Sequence, residues 1–254
     1  TKKTYSADQL VGVTYTNGSY MATGGGEAIT LSTPPRFEPV TTSSIMRVDN
    51  YDNRPSWKPE LNDNTFRGAL EVHWYDGELV VVNELPLEEY LYGLAEIDPS
   101  QHFEKIKAIM VLARSYAKYY MTMDEKFPGA PFHLSDDPQR SQYYRGYGFE
   151  VRNPTGGKAV DATSHEVVTY NGNVIKTPYF SSSDGRTKSA FEVWGWTNAP
   201  YLQSVDDPGC EGQEQRGHGV GLSGCGSLYF AEQGWGYHDI IKYYYQGVEV
   251  EARP

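Results

Sequence analysis

The chain has 254 residues, enough for one large or two small domains with a proper core, and its 39% hydrophobic and 22% charged residues exclude extended disorder. A net charge of −11, from 33 acids against 22 bases, argues against nucleic acid as the main partner and against docking on an anionic membrane. The 21 Tyr, 5 Trp and 9 Phe suit a half-wet ligand such as a sugar ring, although strand-rich packing alone also accounts for them.

The first element is a hairpin. "GVTYTNGSYMAT" places strand-like runs on either side of Asn17-Gly18. The remainder of residues 1–65, including "DNYDNRPSWKPELNDNT", is short-strand and loop chemistry. "FRGALEVHWYDGELVVVNEL" reads as strand, Asp76-Gly77 turn, strand. "PLEEYLYGL" reads as a short helix opened by Pro86 and ended near Gly93. A long helix is expected from Asp98, with Pro99 in its first turn and Gln101 completing a capping box. From Ile106 to Tyr120 its apolar residues recur at helical spacing, and "AIMVLA" is apolar all round, so this helix is buried on most sides. Lys107 and Arg114 share one of its faces; a buried Arg114 calls for a carboxylate near the helix start or for Glu89.

Residues 121–158 read as loop, with an aromatic–basic patch "SQYYRGYGFEVRN". "HEVVTYNGNVIKTPYF" is a hairpin through Asn171-Gly172, residues 184–209 read as irregular, and "GHGVGLSGCGS" is a glycine-dense turn. "LYFAEQG" and "YHDIIKYYYQG" close the chain as helices. Strands and helices are segregated, so the fold class is α+β: β-rich, with one long buried helix and a few short ones. No stretch has the apolar length of a membrane span. No signal peptide is visible at Thr1, which says little about compartment. The two cysteines, Cys210 and Cys225, allow a disulfide closing a loop of about 15 residues, worth roughly 3 kcal/mol, or stand as two buried thiols. The disulfide reading favours an extracytoplasmic setting.

From about Phe66 to Val250, "FRGALEV", "VNELPLEEYLYGL", "KAIMVLARSYA", "YFSSSDGRT", "WG" with "PYLQSV", and "GHGVGLS" follow one another. In that order they resemble the stage II sporulation protein D (SpoIID) family, which includes the amidase enhancer LytB. The resemblance implies a SpoIID-like catalytic domain over 66–254, with 1–65 a β-rich region packed on it. It implies a peptidoglycan lytic transglycosylase of the cell envelope, acting on peptide-free glycan strands. The alternative is a non-catalytic glycan-binding modulator of a cell-wall amidase. The family's catalytic acid falls on Glu96, where its usual Ser-Glu-Met-Pro reads Ala95-Glu96-Ile97-Asp98-Pro99. Residue type and position alone would read Glu96 as solvated surface. One carboxyl suffices if the substrate's own hydroxyl attacks; an ordinary muramidase would need a second, from Asp98 or Glu89. Burial would raise the Glu96 pKa, whereas a helix start and Lys107 or Arg114 would lower it.

The expected substrate-binding residues are Lys107, Arg114, Tyr179, Ser181, Ser182, Ser183, Arg186 and His218. A groove is expected with Glu96 at its floor, lined by Arg114, Tyr179, Ser182 and His218. The bland readings are a serine-rich turn over 179–187 and a backbone-satisfied His218. A triad of Ser182 or Ser183 with His218 and Asp184 or Asp206 lacks a nucleophile elbow. Some relatives hold zinc in the loop after the long helix; here "FHLSDDPQRSQYYRG" offers His133 without cysteine. Neither metal nor cofactor is expected, and Tyr143 and Tyr144 are expected to hold that loop.

Overall fold

Three Asx-Gly dipeptides shape much of the strand structure. The computed structural model describes residues 2–55 and 58–253; Ser56 and Trp57, within the loop expected before Thr65, lie outside the described residues, as do Thr1 and Pro254. β1 (Gly12–Thr16) turns through Asn17-Gly18 into β2 (Ser19–Gly24), and β3 (Glu27–Leu31) completes an antiparallel sheet. β4 (Arg36–Phe37), β5 (Met46–Arg47) and β6 (Thr65–Phe66) are two-residue strands. β7 (Ala69–Tyr75) turns through Asp76-Gly77 into β8 (Glu78–Glu84), with β4 on the far edge of β7. Asn17, Asp76 and Asn171 have φ of 50–52°, each followed by a glycine at positive φ. That conformation matches the twist of a two-residue hairpin.

α1 (Leu87–Tyr92) follows Pro86 and stops at Gly93. α2 (Phe103–Thr122) is the axis of the core: every residue from Ala108 to Ala113 is buried. Its start differs from the capping box expected at Asp98. His102 is the N-cap, its Nδ1 accepting from the Glu104 N–H at 3.3 Å. The Asp98 carboxylate instead accepts from the Ser100 N–H (2.8 Å) and hydroxyl (2.6 Å), a local turn that uses up the cap before a helix can form.

α3 (Gly146–Arg152) and α4 (Pro154–Ala162) occupy part of the stretch expected to be loop. Glycines at 146, 148, 156 and 157 lower helix propensity there, but Asn153 caps α4 by accepting from the Gly156 N–H at 3.0 Å. β9 (Glu166–Tyr170) pairs with β10 (Asn173–Val174) across the third Asx-Gly turn and with the last strand. β11 (Tyr179–Phe180) leads to α5 (Ala190–Trp194), whose capping box of Ser189 and Glu192 is plain in the sequence. β12 (Leu222–Ser223), α6 (Gly224–Glu232), α7 (Tyr237–Tyr244) and β13 (Glu249–Ala252) finish the chain. β11 and β12 run parallel, and Gly221, at φ 79°, lets the backbone pass against the Pro178 carbonyl where a Cβ would collide. Among the described residues the architecture is α+β, with helix and strand in similar share rather than the β-rich body expected; of its several small sheets, the one holding β9 and β10 packs on α2.

The amino-terminal sheet rests on β7: Tyr15 stacks on Trp74 at 5.0 Å, and the Trp74 N–H donates to the Tyr20 hydroxyl at 2.8 Å. Among the described residues no helix is long and apolar enough to cross a membrane. Cys210 and Cys225 form a disulfide with Cα atoms 5.4 Å apart, tying the turn at Pro208–Cys210 to α6. Its loop spans 15 residues. Reduction is expected to remove about 3 kcal/mol of stability, read as a lower urea midpoint in a thiol reductant than without one.

Candidate active site

The segment after α1 and the segment before α3 form a short antiparallel ladder. The Ala95 N–H donates to the Tyr143 carbonyl and the Arg145 N–H to the Gly93 carbonyl, both at 2.8 Å. Glu96 leaves this ladder partly buried, with some solvent access. One carboxylate oxygen accepts from the Tyr143 N–H at 2.5 Å, and the Tyr179 hydroxyl is a second donor. Tyr90 of α1, Tyr116 of α2 and Tyr179 of β11 all feel the Glu96 charge, so three elements supply a phenolic wall. Gln142 fastens that wall. Buried, it donates from Nε2 to the Tyr179 hydroxyl (3.1 Å) and the Ala113 carbonyl (3.3 Å), and accepts from the Tyr90 hydroxyl at 3.1 Å. Because the Tyr179 oxygen accepts from Gln142, its own proton is free to point at Glu96.

Burial pushes the Glu96 carboxyl above its ordinary pKa of 4.5, against the opposing pull of the Tyr143 and Tyr179 donors. Burial therefore prevails over the features that would keep the carboxylate charged. Neither Lys107 nor Arg114 enters this balance. A carboxyl protonated at higher pH than usual, yet provided with two donors once ionised, can give a proton and take one back. Tyr90 and Tyr179 are themselves held well above 10, by burial first and by the Glu96 charge next, so they stay protonated donors.

The Glu96 ladder is anchored from the amino-terminal side. Asp63, wholly buried, accepts from Arg145 Nε (2.5 Å) and Arg152 Nη2 (2.6 Å). Arg145 also donates to the Asn53 carbonyl at 2.9 Å and to the Tyr143 hydroxyl. The loop that precedes the ladder is held by Tyr51 donating to Asp136 at 2.5 Å. Tyr144 stacks on Tyr90 and donates to Asn83 at 2.8 Å.

Residues 75–170, which include α1, Glu96, α2 and the ladder, match the family model described as SpoIID, stage II sporulation protein. This segment is a match to the SpoIID family, and the rest of the chain lies outside it. It is 36% identical over 155 residues to an uncharacterized protein of Brachyspira hyodysenteriae, covering 60% of this chain and 40% of that one. It is 32% identical over 139 residues to stage II sporulation protein D of Bacillus subtilis, again 40% of that protein. It is 33% identical over 112 residues to the Bacillus subtilis amidase enhancer, 14% of that protein. The chain thus spans well under half the length of these relatives. The SpoIID family is linked to peptidoglycan processing at the cell wall, and the disulfide is consistent with an extracytoplasmic location.

Of the groove expected around Glu96, Tyr179 reaches it directly and His218 through Tyr179. The His218 ring accepts at Nδ1 from the Val220 N–H at 3.0 Å and hydrogen-bonds the Tyr179 backbone. Burial holds it down to about 4, so at neutral pH it is an uncharged tether between the glycine-rich turn and β11. Arg114 is not brought to Glu96. It is enclosed, and its guanidinium makes a bidentate pair with Glu88 (2.7 and 2.8 Å) rather than with Glu89. Lys107 pairs with Glu104 at 2.6 Å and lies over Tyr237. Ser182 and Ser183 are buried; their hydroxyls donate to the Glu214 carbonyl (2.8 Å) and the Asp207 carboxylate (2.7 Å). Ser181 and Arg186 are exposed, the latter on Ser204 and Glu192. These bonds leave no serine–histidine–aspartate triad among the residues considered for one.

Asp207, Cys210 and Cys225 are grouped within 4.8 Å, but both sulfurs are in the disulfide and Asp207 accepts from Ser183 and Tyr244. Sequence reasoning missed Gln142, Tyr90, Tyr116 and the Asp63–Arg145 pair. Their partners lie tens of residues away, and no local pattern marks them.

Proposed function

We propose that the chain is a peptidoglycan lytic transglycosylase that uses Glu96 as its acid and base, with residues 66–254 as the catalytic unit and 1–65 docked on it. One observation carries this reading. Glu96 is a single partly buried carboxyl, raised in pKa, whose hydrogen bonds come from Tyr143 and Tyr179 and from no second acid. Asp98 is exposed and engaged with Ser100, which weakens a two-carboxylate muramidase.

In the proposed reaction Glu96 gives its proton to the oxygen bridging a muramoyl and a glucosaminyl residue. The bond from the muramoyl anomeric carbon to that oxygen breaks as an oxocarbenium-like centre forms. The 6-hydroxyl of the same muramoyl ring closes on that carbon, and its proton passes to the Glu96 carboxylate. The products are an anhydro-muramoyl end and a free 4-hydroxyl, and the acid is restored. Tyr143 and Tyr179 stabilise the carboxylate between the two transfers. Of the expected binding residues, Ser181 and Arg186 are exposed and Lys107, Tyr179 and His218 partly so, which leaves these five a route to glycan.

Peptide-free glycan strands incubated with the protein are expected to yield anhydro-muramoyl ends by mass spectrometry. Reducing ends would instead identify a hydrolase. The likeness to the amidase enhancer supports a second reading, a glycan-binding modulator of a wall amidase. That reading gives binding without any product.

A further inference from the structure

Trp194, Trp196 and Tyr201, from the "WG" and "PYLQSV" stretches, take no part in the hydrogen bonds of Glu96. α5 ends at Gly195, whose φ of 70° turns Trp196 back onto Trp194 at 4.5 Å. Beside Trp196 opens a cleft of about 450 Å³, walled by Tyr119, Tyr170, Trp196 and Tyr201, with the exposed amides of Asn173 and Asn198 at its rim. Tyr201 is nearly enclosed. Its hydroxyl accepts from the Lys176 backbone N–H, and among the described residues no acceptor takes its proton. The Lys176 side chain lies over Tyr119 (5.1 Å) and Trp196 (4.9 Å), its charge met by Asp124 at 3.1 Å.

Two rows of rings join this cleft to Glu96. On α2, Tyr116 feels the Glu96 charge and meets Tyr120 edge-on at 5.0 Å, and Tyr120 meets Tyr119 at 5.3 Å. Tyr116 and Tyr119 are three residues apart, about 4.5 Å of helix rise. The second row begins at Tyr179, whose hydroxyl serves Glu96 and whose backbone bonds His218. His218 packs on Trp194 at 5.0 Å, and Trp194 on Trp196. Apart from Tyr120, every ring in the two rows keeps some exposure. Successive rings with an apolar face and a polar edge make a track that suits a strand of sugars.

Resting on the strand-cleaving reading of Glu96, we propose that the cleft between Trp196 and Tyr201 is a distal subsite, seating one N-acetylated sugar ring of the strand that is cut at Glu96. The apolar face of the ring lies on Trp196, Tyr201 offers its hydroxyl proton to the acetamido carbonyl, and Asn173 and Asn198 meet ring hydroxyls. The seat makes binding depend on strand length. A strand that spans both places is held at two points, and the second contact forms at the high effective concentration set by the first. A fragment too short to reach the cleft keeps only the contacts around Glu96. Long strands are therefore cut in preference to short ones.

The test is titration of glycan oligosaccharides of increasing length into the Glu96→Gln protein, so that turnover does not intrude. Affinity is expected to rise in a step of about ten-fold at the length that reaches the cleft. In the same background Trp196→Ala is expected to remove the step. Asn198→Ala, at an exposed position where folding is not at stake, is expected to shrink it about two- to three-fold. Strands shorter than the step should bind all three proteins alike, which a general loosening around Trp194 and His218 would not give. A step that survives both substitutions, or a parent whose affinity does not step with length, overturns the subsite and leaves the Glu96 reading, which rests on the product. A step intact in a protein whose unaltered form yields no anhydro ends overturns the Glu96 reading and leaves the cleft as a glycan seat.

Discussion

Glu96→Gln is expected to lower strand cleavage by about two to four orders of magnitude while glycan binding persists, because the substitution removes the transferable proton and keeps the shape. The pH profile of the unaltered protein should carry the same signature. The working acid is the protonated carboxyl, so activity declines as pH rises through the raised Glu96 pKa. Stability moves with the same group. A glutamate raised above its ordinary 4.5 by folding contributes stability that is fully present below 4.5 and lost as pH rises through the folded value. Glutamine has no charge to desolvate and escapes that loss. The variant should therefore match or exceed the parent in urea unfolding at neutral pH, and the difference should vanish below pH 4.5. An inactive variant that is less stable at neutral pH would point to a structural role for Glu96. Retained anhydro product in Glu96→Gln would end the acid/base assignment.

Asp63→Ala should cost about 3–5 kcal/mol in urea unfolding, the range for breaking a buried ion pair by removing one partner. Asp63 is fully enclosed and carries two guanidinium groups; its loss leaves the nearly buried Arg145 without its counter-charge. Arg145 also holds the Tyr143 ring, and the Tyr143 N–H holds Glu96, so cleavage should fall together with stability. An Arg36→Met change is the control. Arg36 bridges Glu38, Glu71 and Glu84 at a third exposed, where ion pairs contribute at most about 1 kcal/mol. Equal effects from the two substitutions would show that the Asp63 pair does not anchor the ladder.

The three hairpins were legible because Asx-Gly turns act locally, and the body of α2 because its apolar run leaves no solvent face. The start of α2 was not, since Asp98 is as good a turn former as a cap and only the Ser100 bonds decide between them. α3 and α4 were hidden by glycines that packing demands: at Gly148 a Cβ would crowd the Asp63 carboxylate. α5 was readable in its Ser189–Glu192 capping box and was overlooked. Around the acid, resemblance singled out Glu96, and the strand after the third hairpin supplied Tyr179. The partner of Arg114 and the role of Gln142 depend on contacts 26 to 52 residues apart in the chain, which periodicity does not encode.

Asp63 and Asn53 lie ahead of Phe66, yet they grip the arginine that stands two residues from the Tyr143 amide. A fragment beginning at Phe66 would therefore lack the carboxylate that neutralises its own interior. Grafting another module onto that boundary would succeed only if the newcomer brought an acid to the same spot. Residues ahead of Phe66 and the ladder that carries Glu96 are therefore expected to fold as one unit.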